Sequence, residues 1–161
     1  MNTNSNVRAV GGVVIGARHQ HAGRNGQDAV ATFVVDGVAV GVVCDGCSSG
    51  ASSEVGARLG ARWFAERLGH ALVAGADVVD RATWEVARRD VATRLRAIAE
   101  VDELAAIDAE AVHELLLFTI VAVAVTPDGA AVWALGDGAY GCAGSVHVLG
   151  PFTDNAPPYL A

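Results

Sequence analysis

Two aspartates, Asp28 and Asp45, lie at matched distances from a predicted turn. The β-branched runs at residues 30–35 and 38–44 are separated only by an Asp-Gly pair at 36–37, which is the strongest short-range signal for a hairpin. A two-residue turn pairs the residues that flank it, and the same antiparallel register places Asp28 opposite Asp45 at the open end of the hairpin.

This pairing of Asp28 with Asp45 has a chemical consequence. Directly opposed residues have Cβ atoms about 5 Å apart, and like charges at that distance repel. The pair must therefore raise a pKa, move apart or share a cation. Each aspartate lies in loop-like sequence with backbone oxygens nearby. An all-oxygen donor set of this kind suits Mg²⁺ or Mn²⁺.

A second hairpin is predicted over residues 119–135, with its turn at the Pro-Asp-Gly of 127–129. Asp137 follows the turn aspartate of this hairpin by nine positions, as Asp45 does in the first hairpin. If the two hairpins pack alike, three carboxylates meet at one rim. Asp-Gly pairs also serve as ordinary turn residues, which is our interpretation of Asp36 and Asp128. For Asp137 the turn and the site remain equally open.

Two other groups of residues could carry chemistry. Cys44 and Cys47 form a C-x-x-C at a strand-to-helix junction, where a thiol–disulfide oxidoreductase would place its redox pair. We favour a core residue at Cys44 and a loop residue at Cys47, because no other feature is thioredoxin-like. His19 and His21 lie in a polar loop at residues 16–27, and we interpret them as a solvated pair.

Helices are predicted between the hairpins, and they must cover one face of the sheet. The first is capped by Ser52 or Ser53, and the second by Asp77. Residues 7–15 are predicted as a strand, residues 100–114 as a short helix or exposed loop, and the Pro-rich ending as irregular. The apolar positions of the two helices are Val55, Leu59, Trp63, Phe64 and Leu68, followed by Trp84, Val91, Leu95 and Ile98.

Composition limits the classes of protein that this chain can be. A length of 161 residues suits one domain, here 7–161, and 52% hydrophobic residues rule out general disorder, leaving a disordered segment only at 1–6. A net charge of −7 repels phosphate backbones, so we expect no nucleic-acid partner. The longest apolar stretch is too short for a bilayer, so we expect no membrane partner. Three cysteines and no secretory signal favour the cytoplasm.

Three motifs resemble, in order and spacing, the N-terminal part of the metal-dependent protein phosphatase 2C (PPM-type) family. They are GRNGQDA, VVCDGCSSGASSEVGARLGA and LLLFTIVAVAV followed by WALGDGAYG, and the resemblance covers residues 7–150. It implies an α+β fold, an antiparallel β-sandwich flanked by helices. It also implies hydrolysis of phosphoserine and phosphothreonine in proteins, with two Mn²⁺ or Mg²⁺ ions activating a bridging water.

The resemblance also implies roles for individual residues. Asp45 corresponds to the carboxylate that bridges both metals, and the carbonyl of Gly46 to a further ligand. Asp28 would hold metal-bound waters, as would Gln27, where the family often has Glu. Asp137 corresponds to the family's Gly-Asp-Ser aspartate, which contributes to an additional metal position.

The chain departs from the family's pattern at several places. Arg24 is one position away from the family's phosphate-binding Arg, and we predict that it binds phosphate here. Cys47 and the two serines after it replace Met or His followed by Gly-Gly. The family's domain also continues past residue 161 and supplies two more aspartates. Asp154-Asn155 matches one of those motifs only superficially.

These departures leave two hypotheses about function. The first is an enzyme, a metal-dependent serine/threonine protein phosphatase, and the second is a catalytically incomplete phosphatase-like module that binds or regulates another protein. Two divalent ions bring four positive charges against three matched carboxylates, and affinity at oxygen sites depends on ligand charge. We therefore expect a domain incomplete at its C-terminal end, millimolar Mn²⁺ binding, slow turnover and a tendency to self-associate. The number of carboxylates at the rim discriminates between the hypotheses.

Overall fold

Four strands form one antiparallel sheet in the order β1-β2-β3-β4, so each strand pairs with its neighbour in sequence. A computed structural model describes residues 7–100 and 108–160 of the chain. The sheet consists of β1 (Ala29–Val35), β2 (Val38–Gly46), β3 (Phe118–Thr126) and β4 (Gly129–Leu135), and a separate pair consists of β5 (Gly138–Cys142) and β6 (Ser145–Leu149). The helices are α1 (Ala17–His21), α2 (Glu54–Val73), α3 (Arg81–Ala99) and α4 (Ala109–Ala111), the last continuing as a π-helical turn at Val112–Leu116.

The register of the first hairpin follows the prediction, and the second hairpin forms where it was predicted. Val35 pairs with Val38 and Ala29 with Cys44, so Asp28 and Asp45 are the next facing positions beyond the ladder. The second hairpin pairs Thr126 with Gly129, around the turn at residues 127–128. Because β2 also pairs with β3, the two hairpins lie side by side in one sheet.

The core lies between one face of the sheet and α2. On β2 the residues Val40, Val42 and Cys44 are fully buried, whereas Val43 on the opposite face is 52% exposed. This alternation is expected where one face of a sheet packs on the core and the other is more exposed to solvent. Phe64 of α2 stacks on Trp133 with ring centroids 5.4 Å apart. The predicted core position of Phe64 is confirmed.

Helix α3 packs on α2 and begins later than predicted. Its N-cap is Asp80, which accepts a hydrogen bond from the Ala82 amide, while Asp77 accepts one from Val79 in the preceding turn. Val78 is buried and its carbonyl accepts from the Trp84 indole at 2.8 Å. A helix starting at Asp77 would remove Val78 from this position. None of the helices in the described ranges is both long and apolar enough to cross a bilayer.

The outcome for the predicted helix stripes is mixed. Leu68, Trp84, Val91 and Leu95 are buried as predicted. Val55 is 38% exposed and Ile98 is 45% exposed, against the prediction, and Ala99 takes the buried position at the end of α3. The reason is that α3 ends at Ala99, where the small side chain fits against the core.

The second layer of the fold consists of β5 and β6, with β5 against β3. This hairpin contributes Ala139 and Tyr140 to a cleft of about 600 Å³ over the outer face of the sheet. The described part of the chain is thus α+β, a four-stranded antiparallel sheet with helices on one side and a smaller sheet on the other. The predicted fold class is confirmed.

Two local predictions fail at the N-terminal side. Residues 7–15 form no strand; they cross the outer face of the sheet as irregular chain, with Gly11 against Val30. Two successive glycines weaken a strand because they offer no side chains for packing. The segment at 16–27, predicted as a loop, contains the short helix α1. The prediction for residues 1–6 lies outside the described ranges, as does the part of the prediction for 100–114 that falls on 101–107; the described part contains the short helix α4.

Gly56 allows α2 to approach the π-helical turn closely, and we expect Gly56→Ala to lower the free energy of unfolding by about 2 kcal/mol. A Cβ at this position would lie 2.6 Å from the Leu116 Cα and 2.7 Å from the Leu115 carbonyl oxygen. Backbone atoms cannot rotate away, so the clash outweighs the helix preference for Ala, about 1 kcal/mol. Urea unfolding measures the change.

The matched control is Gly12→Ala, because a Cβ at Gly12 meets nothing within 4 Å. Its stability should stay within about 0.5 kcal/mol of the wild type. Equal stability of Gly56→Ala and the wild type would contradict the close approach of α2 to the turn.

Candidate active site

The starts of β1 and β3 and the ends of β2 and β4 lie at the same end of the antiparallel sheet. Asp28 precedes β1, Asp45 lies near the end of β2, and Thr119 pairs with Asp45 across to β3. Asp137 follows β4 after Gly136, whose φ of 93° turns the chain toward Thr119. All four residues line one cleft of about 400 Å³. The structure therefore brings the three predicted carboxylates to one rim.

Asp28 and Asp45 face each other just beyond the β1–β2 ladder, where each carboxyl group affects the protonation of the other. The pKa of Asp45 is raised to about 6, first by partial burial, then by the hydrogen bond that protonated Asp45 donates to Asp28, and then by the charges of Asp28 and Asp137. A carboxyl group in this environment binds a proton more tightly than usual because its charge is poorly compensated. A cation at the same place would compensate that charge.

Asp45 is shared by three clefts, which makes it the centre of the site. Besides the cleft with Asp28 and Asp137, a cleft of about 150 Å³ is lined by Ser48, Pro157 and Tyr159. A third, of about 190 Å³, is lined by Asp28, Ser48 and His19. Groups from α1, from the loop after β2 and from the C-terminal segment thus surround one carboxylate.

The loop at residues 47–53, between β2 and α2, is held on its buried side by hydrogen bonds from Gln27. Its Nε2 lies 3.1 Å from the carbonyl oxygens of Cys47 and Gly50 and 2.9 Å from Ser53 Oγ, and the residue is buried. Ser53 in turn donates to the Cys47 carbonyl at 2.8 Å. These bonds fix the backbone that follows Asp45 and Gly46.

The same loop is held on its exposed side by contacts with the π-helical turn at Val112–Leu116. Ser49 Oγ lies 3.2 Å from His113 Nε2, and His113 Nδ1 lies 3.0 Å from Glu114 Oε1. The Ala51 amide donates to Glu114 Oε2 at 2.7 Å, which lowers the pKa of Glu114. The loop is therefore fixed on both sides before any ligand binds.

The two cysteines of the C-x-x-C have different environments, and the structure describes both as free thiols. Cys44 is fully buried on the inner face of the sheet, and burial raises its pKa. Burial also acts to raise the pKa of Cys47, but hydrogen bonds from Ser49, Tyr159 and the backbone lower it on balance. Cys44 is thus the core residue that we predicted.

A comparison with protein-family models matches residues 15–157 to protein phosphatase 2C. That match covers most of the chain. The chain belongs to the protein phosphatase 2C family. A comparison with curated proteins finds no significant match. Membership of this family supports a phosphatase-like function for the chain.

Two residues that the phosphatase 2C resemblance assigned to the site have other contacts. Arg24 donates from Nη2 to the Ala51 carbonyl at 2.7 Å, and it does not appear among the described residues that line the clefts around Asp45. Gln27 borders the third cleft, but its amide nitrogen is used by the loop. Their roles toward phosphate and metal-bound water stay predictions.

Sequence reasoning missed two residues that line the clefts around Asp45, His19 and Tyr159. His19 carries no signal for the site because the polar residues around it are typical of a solvated loop. Tyr159 lies in an ending without any period, and it reaches Cys47 because Leu160 is buried and its amide donates to the Phe118 carbonyl at 3.2 Å. The hydrogen bond to Cys47 and partial burial raise the pKa of Tyr159 to about 12.

The donor set fits a hard divalent cation in part. Two adjacent carboxylates with uncompensated charge, Asp28 and Asp45, and the backbone oxygen of Gly46 are oxygen donors of the type that Mg²⁺ and Mn²⁺ prefer. Within residues 7–100 and 108–160, however, no three His, Cys, Asp or Glu side chains form a group that could hold a metal ion. Asp137 lines the same cleft and its charge acts on Asp45, but it does not form a three-ligand group with Asp28 and Asp45.

Proposed function

We propose that this chain is a Mn²⁺- or Mg²⁺-dependent phosphatase domain acting on phosphoserine and phosphothreonine in proteins. The observation that carries the proposal is the pair Asp28–Asp45, in which the pKa of Asp45 is raised to about 6 at the rim where three clefts meet. A bound cation would compensate the charge of this pair, and the family match supports the reaction class. The free thiols support a reducing, cytoplasmic location.

The proposed roles follow from position. Asp45 and Asp28 would hold up to two ions together with the Gly46 carbonyl. Asp137, across the cleft, would add a third negative charge to balance the charge of the ions. Bound cations would supply Lewis acidity that activates water and neutralises charge on the phosphoryl group. Gln27 would fix the loop that presents Gly46, and Arg24 would attract the phosphate from beside that loop.

One observation favours the alternative, a phosphatase-like module that binds a phosphorylated partner without turnover. The described residues do not provide a cluster of three ligating side chains, so affinity for two ions is limited. In this alternative the same rim would bind a phosphopeptide, and phosphate would not be released.

The test is phosphate release from a phosphothreonine peptide by micromolar protein in millimolar Mn²⁺. We expect slow release that stops on addition of EDTA, returns with excess Mn²⁺, and falls below detection in Asp28→Asn. Asp128→Asn, in the exposed turn of the second hairpin, should match the wild type because Asn serves turns as well as Asp.

Peptide binding without phosphate release would favour the binding module instead. Release that persists in EDTA would contradict metal dependence.

A further inference from the structure

We propose that His19 donates the proton to the departing serine or threonine oxygen, an inference that rests on the proposed phosphatase function. His19 lines the third cleft together with Asp28, Asp45 and Ser48. Among the described residues that line the three clefts around Asp45, it is the one imidazole. Imidazole is the side chain that most readily exchanges a proton near neutral pH.

The ring of His19 is oriented by a directional contact with the backbone. Its Nδ1 lies 2.8 Å from the backbone oxygen of Asn25, and a carbonyl can only accept, so Nδ1 carries a proton. Nε2 is then the nitrogen available for exchange with a group in the cleft. This is the arrangement by which a second contact fixes the tautomer of a functional histidine.

The supporting contacts extend from α1 to α2. The Arg24 amide donates to the His19 carbonyl at 2.9 Å, which closes the turn after α1. Asn25 is itself held, because its Nδ2 donates to Glu54 Oε1 at 3.2 Å at the start of α2. His19 is therefore positioned by the same helix whose N-terminus follows the loop of the site.

The chemistry requires such a donor. When water attacks phosphorus, the bond between phosphorus and the serine or threonine oxygen breaks and its electron pair stays on that oxygen. An alkoxide is a poor leaving group, so it takes the proton from Nε2, while the proton of the attacking water passes to solvent and His19 is reprotonated from solvent. The charged groups nearest this part of the cleft are the carboxylates of Asp28 and Asp45, which line it with His19, and Arg18 on the same helix as His19.

His21 provides a matched control on the same short helix. Its Nδ1 also contacts a backbone oxygen, that of Ala17 at 2.6 Å, and its side chain is exposed. It differs from His19 in that it is not among the described residues lining the clefts around Asp45. A purely local effect of losing an imidazole from α1 would therefore appear in both variants.

The experiment compares two substrates that differ in their need for a proton, a phosphothreonine peptide and p-nitrophenyl phosphate, in Mn²⁺. His19→Gln should lower kcat on the peptide by about tenfold or more and leave p-nitrophenyl phosphate within about threefold, because nitrophenolate leaves without protonation. His21→Gln should match the wild type on both. Mn²⁺ affinity by calorimetry should be the same in all three proteins.

A second readout does not depend on turnover. Two-bond ¹H–¹⁵N spectra of the metal-free protein above neutral pH should show His19 with Nδ1 protonated and Nε2 bare. The opposite tautomer, or equal losses of His19→Gln on both substrates, would overturn the inference, as would weaker Mn²⁺ binding. If the wild type hydrolyses neither substrate, the proposed function fails together with this inference, whereas an active wild type and an unaffected His19→Gln would overturn the inference alone.

Discussion

Asp45→Asn should reduce Mn²⁺ binding at least 100-fold, which corresponds to about 2.7 kcal/mol of binding free energy. Asp45 is the carboxylate shared by all three clefts, and Asn offers a neutral oxygen in place of a charged one. Calorimetric titration of the purified chain with Mn²⁺ measures the loss. Asp36→Asn is the control, because Asp36 lies in the hairpin turn at φ 49°, a conformation that Asn tolerates.

The same substitution should stabilise the metal-free protein at pH 7.5 by about 1 kcal/mol. The pKa of Asp45 is raised from 3.8 to about 6 in the folded chain, so the ionised carboxylate opposes folding. The full shift would correspond to about 3 kcal/mol, but the side chain keeps contact with solvent, which screens its charge. Equal Mn²⁺ affinity of wild type and variant would remove Asp45 from the metal site.

The sign of the pH dependence follows from the raised pKa. Because the folded state binds the proton more tightly than the unfolded state, this contribution to stability is complete below about pH 4 and is lost as the pH rises through about 6. Urea unfolding in EDTA should therefore show the wild type losing stability relative to Asp45→Asn between these pH values. Mn²⁺ affinity of the wild type should rise over the same range as the competing proton leaves.

Gln27→Glu should lower the free energy of unfolding by about 3 kcal/mol, or roughly 6–12 °C in Tm. The substitution keeps the shape of a buried side chain but places an oxygen where Nε2 now faces the carbonyl oxygens of Cys47 and Gly50. A buried oxygen facing acceptors is left unsatisfied. The loss should be larger at pH 8 than at pH 5, since a protonated Glu can still donate one hydrogen bond.

Gln20→Glu is the matched control, because Gln20 is exposed on α1. Its Tm should stay within about 2 °C of the wild type. If Gln27→Glu were as stable as the wild type at pH 8, the contacts from Gln27 would not be what holds the loop after Asp45.

The sequence by itself determined the pairing that makes the site. Alternation of side chains and the Asp-Gly turn at 36–37 predicted the register of the first hairpin, and with it the approach of Asp28 to Asp45. A strand has a side-chain period of two, so a register set by a short turn fixes every facing pair along the ladder. The second hairpin, which turns at residues 127–128, places Asp137 at the same end of the sheet, in the cleft with Asp28 and Asp45.

Only the tertiary structure decided which residues surround that pair. Both Asp77 and Asp80 are suitable caps, and the buried Val78 and its bond to Trp84 selected Asp80. His19 and Tyr159 approach Asp45 from segments without any periodic pattern. Their positions depend on contacts between parts of the chain far apart in sequence, such as Leu160 with Phe118, which propensity and periodicity do not encode because they describe only neighbours along the chain.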